Sequence, residues 1–240
     1  MTRRFLFLVL VAASITGVVL LGCSDKSTKP KPRDCQDCLL ARTSPANVLN
    51  DLRVIYSVMD NNLNTPEDAH NLALKYRDLF DPQFKFYFVP SDGPPGFPEG
   101  WWGRDDEVAG FDTLMTKRAL GIVTEISLSW SPGAARPDNR VDPGSPPAPL
   151  HPDWMWIHVT SILLDIVQGE NTFRISNGVA DFYFAPDPAD STLWVITEWY
   201  DEGPGYSPSQ NGGARSRSSV SMLYKSPEWM TWGKIKGLFR

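Results

Sequence analysis

Two rhythms of apolar positions run along the chain. Val48, Leu49, Leu52, Ile55, Tyr56 and Met59 recur at intervals of three and four, one face of a helix opened by Ser44-Pro45 and stopped by Asn61-Asn62. Ala69, Leu72, Ala73, Tyr76, Leu79 and Phe80 repeat the pattern behind Thr65-Pro66-Glu67-Asp68, a capped start with acids in the first turn. Phe84 to Phe88 alternates and predicts a strand. Residues 90–103 hold four Pro and four Gly and predict a loop that closes at Trp101-Trp102. Arg104 to Leu120 predicts a third helix, with acids at 105–107 and Gly121 beyond its end. From there the period is two. Strands are predicted at 122–130, 154–168, 173–184 and 193–200, and Gly178 marks a bend or bulge. Seven prolines in 131–153 predict a long loop, Gly, Ser and Pro predict another at 202–219, and 229–239 predicts a short closing helix. Helices first and long antiparallel strands after is an α+β order.

The N-terminus has a different rhythm. Arg3 and Arg4 precede an apolar run from Phe5 to Leu21, the anatomy of a signal peptide. The run ends in Leu20-Leu21-Gly22-Cys23, which resembles the lipobox of bacterial lipoproteins. That resemblance implies cleavage before Cys23, acylation of Cys23, and attachment to a membrane by several chains, since one chain holds only weakly. Ser24 in place of Asp implies the outer membrane, facing the periplasm or the surface. The expected organisation is therefore a signal peptide over 1–22, a Lys/Pro tether over 23–43, and one domain over 44–240. That domain carries the insertion at 131–153 and an extension at 202–240.

The α+β order also resembles the NTF2-like, or SnoaL-like, superfamily. The resemblance rests on Tyr76-Arg77-Asp78-Leu79-Phe80-Asp81 before an aromatic strand, on Trp102-Gly103-Arg104-Asp105-Asp106-Glu107 opening the third helix, and on Trp194 to Asp201 in the final strand. It spans roughly residues 44–201 and implies a cone: a curved sheet wrapped around the helices, open at one end. The insertion and the extension depart from the family pattern and are placed to cover the mouth.

Composition changes this picture in two respects. Residues 1–43 hold seven basic and three acidic groups, which leaves 16 basic against 25 acidic over 44–240, a net of −9. So acidic a domain lacks the field that attracts phosphate backbones, and nucleic acid is excluded as a partner. Cys35 and Cys38, spaced C-x-x-C, remain once Cys23 is lipidated. An oxidising envelope favours a disulfide between them, with idle thiols, an intermolecular bridge or a redox pair as alternatives. Leu39 stands where a haem site would need His, and no second ligand pair accompanies them for zinc.

Chemistry-bearing motifs are absent: no nucleophile elbow, no phosphate loop, no dinucleotide fingerprint, no zinc-protease motif. No cofactor and no metal is expected. If the chain is an enzyme, His158 with Asp181 is the expected pair, a base poised near neutrality and a carboxylate to hold it. By alternation His158 shares a face with Trp154, Trp156, Ile162 and Leu164, and Asp181 interrupts a face of Phe173, Ile175, Val179 and Tyr183. Tyr56, Trp102, Trp156, His158, Asp181 and Trp199 are the expected pocket residues. Three readings follow. One is a non-catalytic, lipid-anchored module that binds a small apolar ligand or a protein partner. The second is a SnoaL-like enzyme, an isomerase or dehydratase, acting on a small organic substrate. The third is a structural envelope protein that dimerises through its sheet. The first is favoured, and the state of the cone interior separates them.

Overall fold

The computed structural model describes residues 38–57, 63–89, 96, 97, 99–142, 148–202 and 230–239. The signal peptide, most of the tether, the Asn61-Asn62 stop and the 203–229 part of the extension lie outside them. Helix α1 (Pro45–Ser57) starts where Ser44 Oγ accepts the Asn47 amide at 3.2 Å, and it buries Val48, Leu49, Leu52, Ile55 and Tyr56. Helix α2 (Pro66–Arg77) has a full capping box, Thr65 with Asp68, and buries Ala69, Leu72, Ala73 and Tyr76. Helix α3 (Arg104–Ala119) buries Phe111, Leu114 and Met115, and also Glu107. Gly121 follows it with φ +71°, a conformation that favours glycine.

The strands are β1 (Phe80–Tyr87), β2 (Trp101–Gly103), β3 (Val123–Pro132), β4 (Arg136–Pro137), β5 (Val141–Asp142), β6 (Ala148–Pro149), β7 (Met155–Gln168), β8 (Asn171–Pro186) and β9 (Trp194–Asp201). The main sheet runs β2-β1-β9-β8-β7-β3, with β4 added to the edge of β7; among the described strands β1 and β9 pair parallel and the other pairs are antiparallel. Helix α4 (Trp232–Leu238) closes the described chain. The architecture is α+β, helices against a mostly antiparallel mixed sheet.

The sheet curls. Helix α3 touches both β1 and β3. Four strand steps separate them, about 19 Å on a flat sheet at ~4.8 Å per step. A single helix about 10 Å wide reaches both only if the sheet bends around it. The inner face carries Phe84, Phe86, Ile157, Leu164, Ile166, Phe182, Phe184 and Trp199, all buried against the helices.

Three expectations are corrected. Trp101-Trp102-Gly103 is not loop: it pairs antiparallel with β1, Trp102 opposite Phe86. The 131–153 insertion is not structureless, since β4 pairs with β7 and β5 pairs with β6. Strict alternation fails along β7 and β8. Ser161 and Asn177 take φ +53° and +55°, and the register slips between Val159 and Leu164. Each strand therefore carries a bulge, and the two bulges face each other. Beyond them Ile162 and Leu164 point into the core, whereas Trp156 and His158 lie on the outer face. Likewise Ile175 is inside while Asp181 and Tyr183 face out.

Candidate functional site

The inside of the curled sheet is filled. At its centre lies Glu107, placed in the first turn of α3 and fully buried. Its carboxylate accepts from Tyr76 Oη at 2.5 Å, from Trp102 Nε1 at 3.0 Å and from Lys236 Nζ at 2.6 Å. Tyr56 Oη lies 3.4 Å from Tyr76 Oη, and the Tyr76 ring stacks on Phe111 at 3.9 Å. Burial raises the phenol pKa of both tyrosines, and the Glu107 charge adds to the effect. Lys236 enters from α4, and its ammonium sits over the rings of Trp199 at 3.7 Å, Phe86 at 4.1 Å and Trp232 at 5.2 Å. Burial lowers the pKa of Lys236; the Glu107 and Asp201 charges oppose that shift. Beside this cluster lies a cavity of about 10 Å³, room for one water, lined by Tyr56, Glu107, Trp232 and Lys236 among others.

A second space is larger. Between α1 and the end of β3 a groove of about 370 Å³ opens on the inner side of the sheet. Leu49, Trp130, Pro132 and Ile157 give it apolar walls, and Asn50 and Arg53 stand on its helical side. Arg53 donates to Asn50 Oδ1 at 3.0 Å.

A third cluster lies on the outer face. His158 Nδ1 and Asp181 Oδ1 are 2.6 Å apart on directly paired positions of β7 and β8. Trp156 lies beside them, its ring 6.3 Å from His158 and 6.5 Å from Tyr183. The proline-rich insertion folds over this face. Arg140 donates to both oxygens of the buried Asp138 and, at 2.6 Å, to Glu198 Oε2, and its guanidinium lies 3.8 Å from the Tyr183 ring centre. Despite its partial burial, those two carboxylates hold the Arg140 pKa above the usual value. His151 stacks on Trp154 at 3.8 Å. The insertion thus covers the outer face of the sheet, where the sequence suggested a cover for the mouth.

The expected pocket residues are therefore split. Tyr56, Trp102 and Trp199 are inside, around Glu107. Trp156, His158 and Asp181 are outside, with the sheet between the two groups. Sequence reasoning missed Glu107, Tyr76 and Lys236, and on the other face Asp138 and Arg140. Cys38 is disulfide-bonded; Cys23 and Cys35 lie outside the described residues. Among the described residues there is no group of three His, Cys, Asp or Glu side chains placed to hold a metal ion, and no helix long and apolar enough to cross a membrane.

No protein-family model and no curated protein matches the chain. Solved structures do resemble it. An NTF2-like superfamily protein from Salmonella enterica serovar Typhimurium is 15% identical, over 71% of this chain and 100% of its own, with a TM-score of 0.37. An NTF2-like protein with a cystatin-like fold from Novosphingobium aromaticivorans is 13% identical, over 65% of this chain and 79% of its own, also with a TM-score of 0.37. A cystatin-like protein of unknown function from Nostoc punctiforme is 12% identical, over 69% of this chain and 96% of its own, with a TM-score of 0.34.

Proposed function

We propose that the chain is a non-catalytic binding module of the bacterial envelope, tethered through Cys23, whose ligand is a small apolar molecule seated between α1 and β3. The observation that carries this is the groove of about 370 Å³ walled by Leu49, Trp130 and Ile157. That volume is in the range of small-molecule sites, which are mostly apolar with a few placed polar groups, here Asn50 and Arg53. The ionisable pair that proton transfer would need, His158 with Asp181, is on the opposite side of the sheet and lines no part of it. A general base must reach the proton it takes, so this geometry favours binding over catalysis.

The test is a saturation titration with an apolar, anionic fluorescent probe, anilinonaphthalene sulfonate, whose charge suits Arg53. Binding is expected with one site per chain. Ala46→Trp, which grows from an exposed helical position into the groove, is expected to weaken it by roughly tenfold or more, a loss on the order of 1.4 kcal/mol. His158→Gln is expected to leave it unchanged. Equal affinity in the Ala46→Trp variant would remove the groove as the site. The tether is tested separately: the mature protein is expected to partition into detergent, and Cys23→Ser to stay in the aqueous phase.

A further inference from the structure

Lys236 sits where packing alone would place a methionine. A buried ion pair adds little net stability, and a well-packed apolar replacement of similar volume does as well or better. Yet its ammonium is held at 2.6 Å by a fully buried carboxylate and faced by the rings of Trp199, Phe86 and Trp232. Aromatic faces around an anionic group are the chemistry that recognises organic ammonium ions. Most of this box does not depend on Lys236. Tyr76 and Trp102 both donate to Glu107, so the carboxylate stays oriented and partnered whether or not a lysine is present. Trp199 and Phe86 come from β9 and β1 and stay with the sheet.

The element that delivers Lys236 is slight by comparison. Helix α4 has seven residues, too few to persist without its packing. It is held by Trp232, Ile235 and Phe239, by the Thr231 cap, and by the Gly233 amide donating to Asp201 Oδ2 at 3.2 Å. Two indole N–H groups beside the box, Trp199 Nε1 and Trp232 Nε1, are buried without a hydrogen-bond acceptor among the described residues. Unsatisfied buried donors carry a desolvation penalty, and hydration of Trp232 on release of α4 would offset part of the cost of opening.

We propose that the Glu107 box is a binding site for a small organic ammonium ion, that Lys236 is its internal occupant, and that the external ion displaces Lys236 together with α4. The ion takes the place of Nζ against Glu107 Oε1, over Trp199 and Phe86. Its leverage on α4 is limited to the difference between its affinities for the open and the closed chain. The titratable and charged groups that face the box are Glu107, Asp201, Tyr56 and Tyr76, and charge neutrality inside is kept because one cation replaces another. None of these residues lines the α1–β3 groove, so this site stands or falls apart from that one.

The test uses the full chain and n-butylammonium chloride, with sodium chloride at the same concentration as reference. Amide hydrogen exchange across 230–239 is expected to quicken saturably in the wild type, by roughly tenfold at saturation. Lys236→Ala, which empties the box, is expected to gain several degrees of melting temperature from n-butylammonium. The Glu107→Gln/Lys236→Met chain, which removes both charges while keeping volume, is expected to show neither effect, and Ala46→Trp to show the wild-type response. Unchanged exchange in the wild type overturns displacement, even if Lys236→Ala is stabilised. A melting shift of Lys236→Ala no larger than sodium gives overturns the site itself.

Discussion

At the scale of single residues, the inner polar cluster sets two expectations. Glu107→Gln leaves a lysine buried without its anion and is expected to cost about 3–5 kcal/mol in urea unfolding. Adding Lys236→Met should recover most of that, because the double variant buries no charge. The second expectation concerns alkali. Burial raises the phenol pKa of Tyr56, Tyr76, Tyr183 and Tyr200 above the ordinary value of about 10. The folded chain therefore keeps phenol protons that the unfolded chain releases, and that share of stability is intact below pH ~10 and drains away as pH rises above it. Lys236 acts in the opposite sense, since its lowered pKa makes the folded chain bind fewer protons, but the tyrosines outnumber it. The urea midpoint is expected to fall as pH rises from about 10 to 12, and to fall less steeply in Tyr56→Phe. Neither Glu107 nor Lys236 was legible in the sequence. Glu107 reads as one of three acids answering the helix dipole, and Lys236 as a solvated surface charge. Burial of both is decided by where α4 docks, which no local pattern encodes.

At the scale of elements, the paired bulges of β7 and β8 decide which side chains meet. Gly178 was readable as a bend, because glycine inside a strand has few other uses. Ser161 gave no such sign, and without it the alternation assigns Ile162 and Leu164 to the face of His158. His158 and Asp181 stay opposite one another because both strands slip together. A Cβ at Gly178 would lie 2.8 Å from Ile175 Cγ2 and 3.2 Å from Ile162 Cβ. Gly178→Ala is accordingly expected to cost about 1–3 kcal/mol, the range for an overpacked core, read from the urea midpoint. Ser161→Gly should act the other way and stabilise by up to about 1 kcal/mol, since φ near +53° strains any residue with a Cβ. The helices were far more legible. Their caps, Ser44 and Thr65, and their apolar stripes depend on neighbours three and four residues away. The strand formed by Trp101 to Gly103 was not, because its strand partner is β1, beyond the reach of any local pattern.

At the scale of the whole molecule, the two faces of the sheet do different things. The inner face is closed by helices, and the outer face is roofed by the insertion through Arg140. A homodimer made by stacking sheets would meet Asp138, Arg140 and Trp154 before it met β8. Arg140→Ala is expected to lower the urea midpoint, because it leaves the buried Asp138 carboxylate without its cation, and to speed proteolytic cleavage between residues 138 and 154, because the roof loses Asp138, Glu198 and the Tyr183 ring together. Cleavage at the wild-type rate would mean that the β4 and β5–β6 pairings hold the insertion by themselves.

Helix α4 also imposes an order on the life of the chain. Synthesis runs from α1 to β9 before it reaches Trp232, Ile235 and Phe239, so every strand exists while the centre of the molecule still lacks its stopper. Until then Glu107 lacks Lys236, and the rings of Phe86 and Trp199 lack the cover that Lys236 and Trp232 give them. A nascent chain of this design cannot harden early. Its core is completed last, when α4 has been made and has docked.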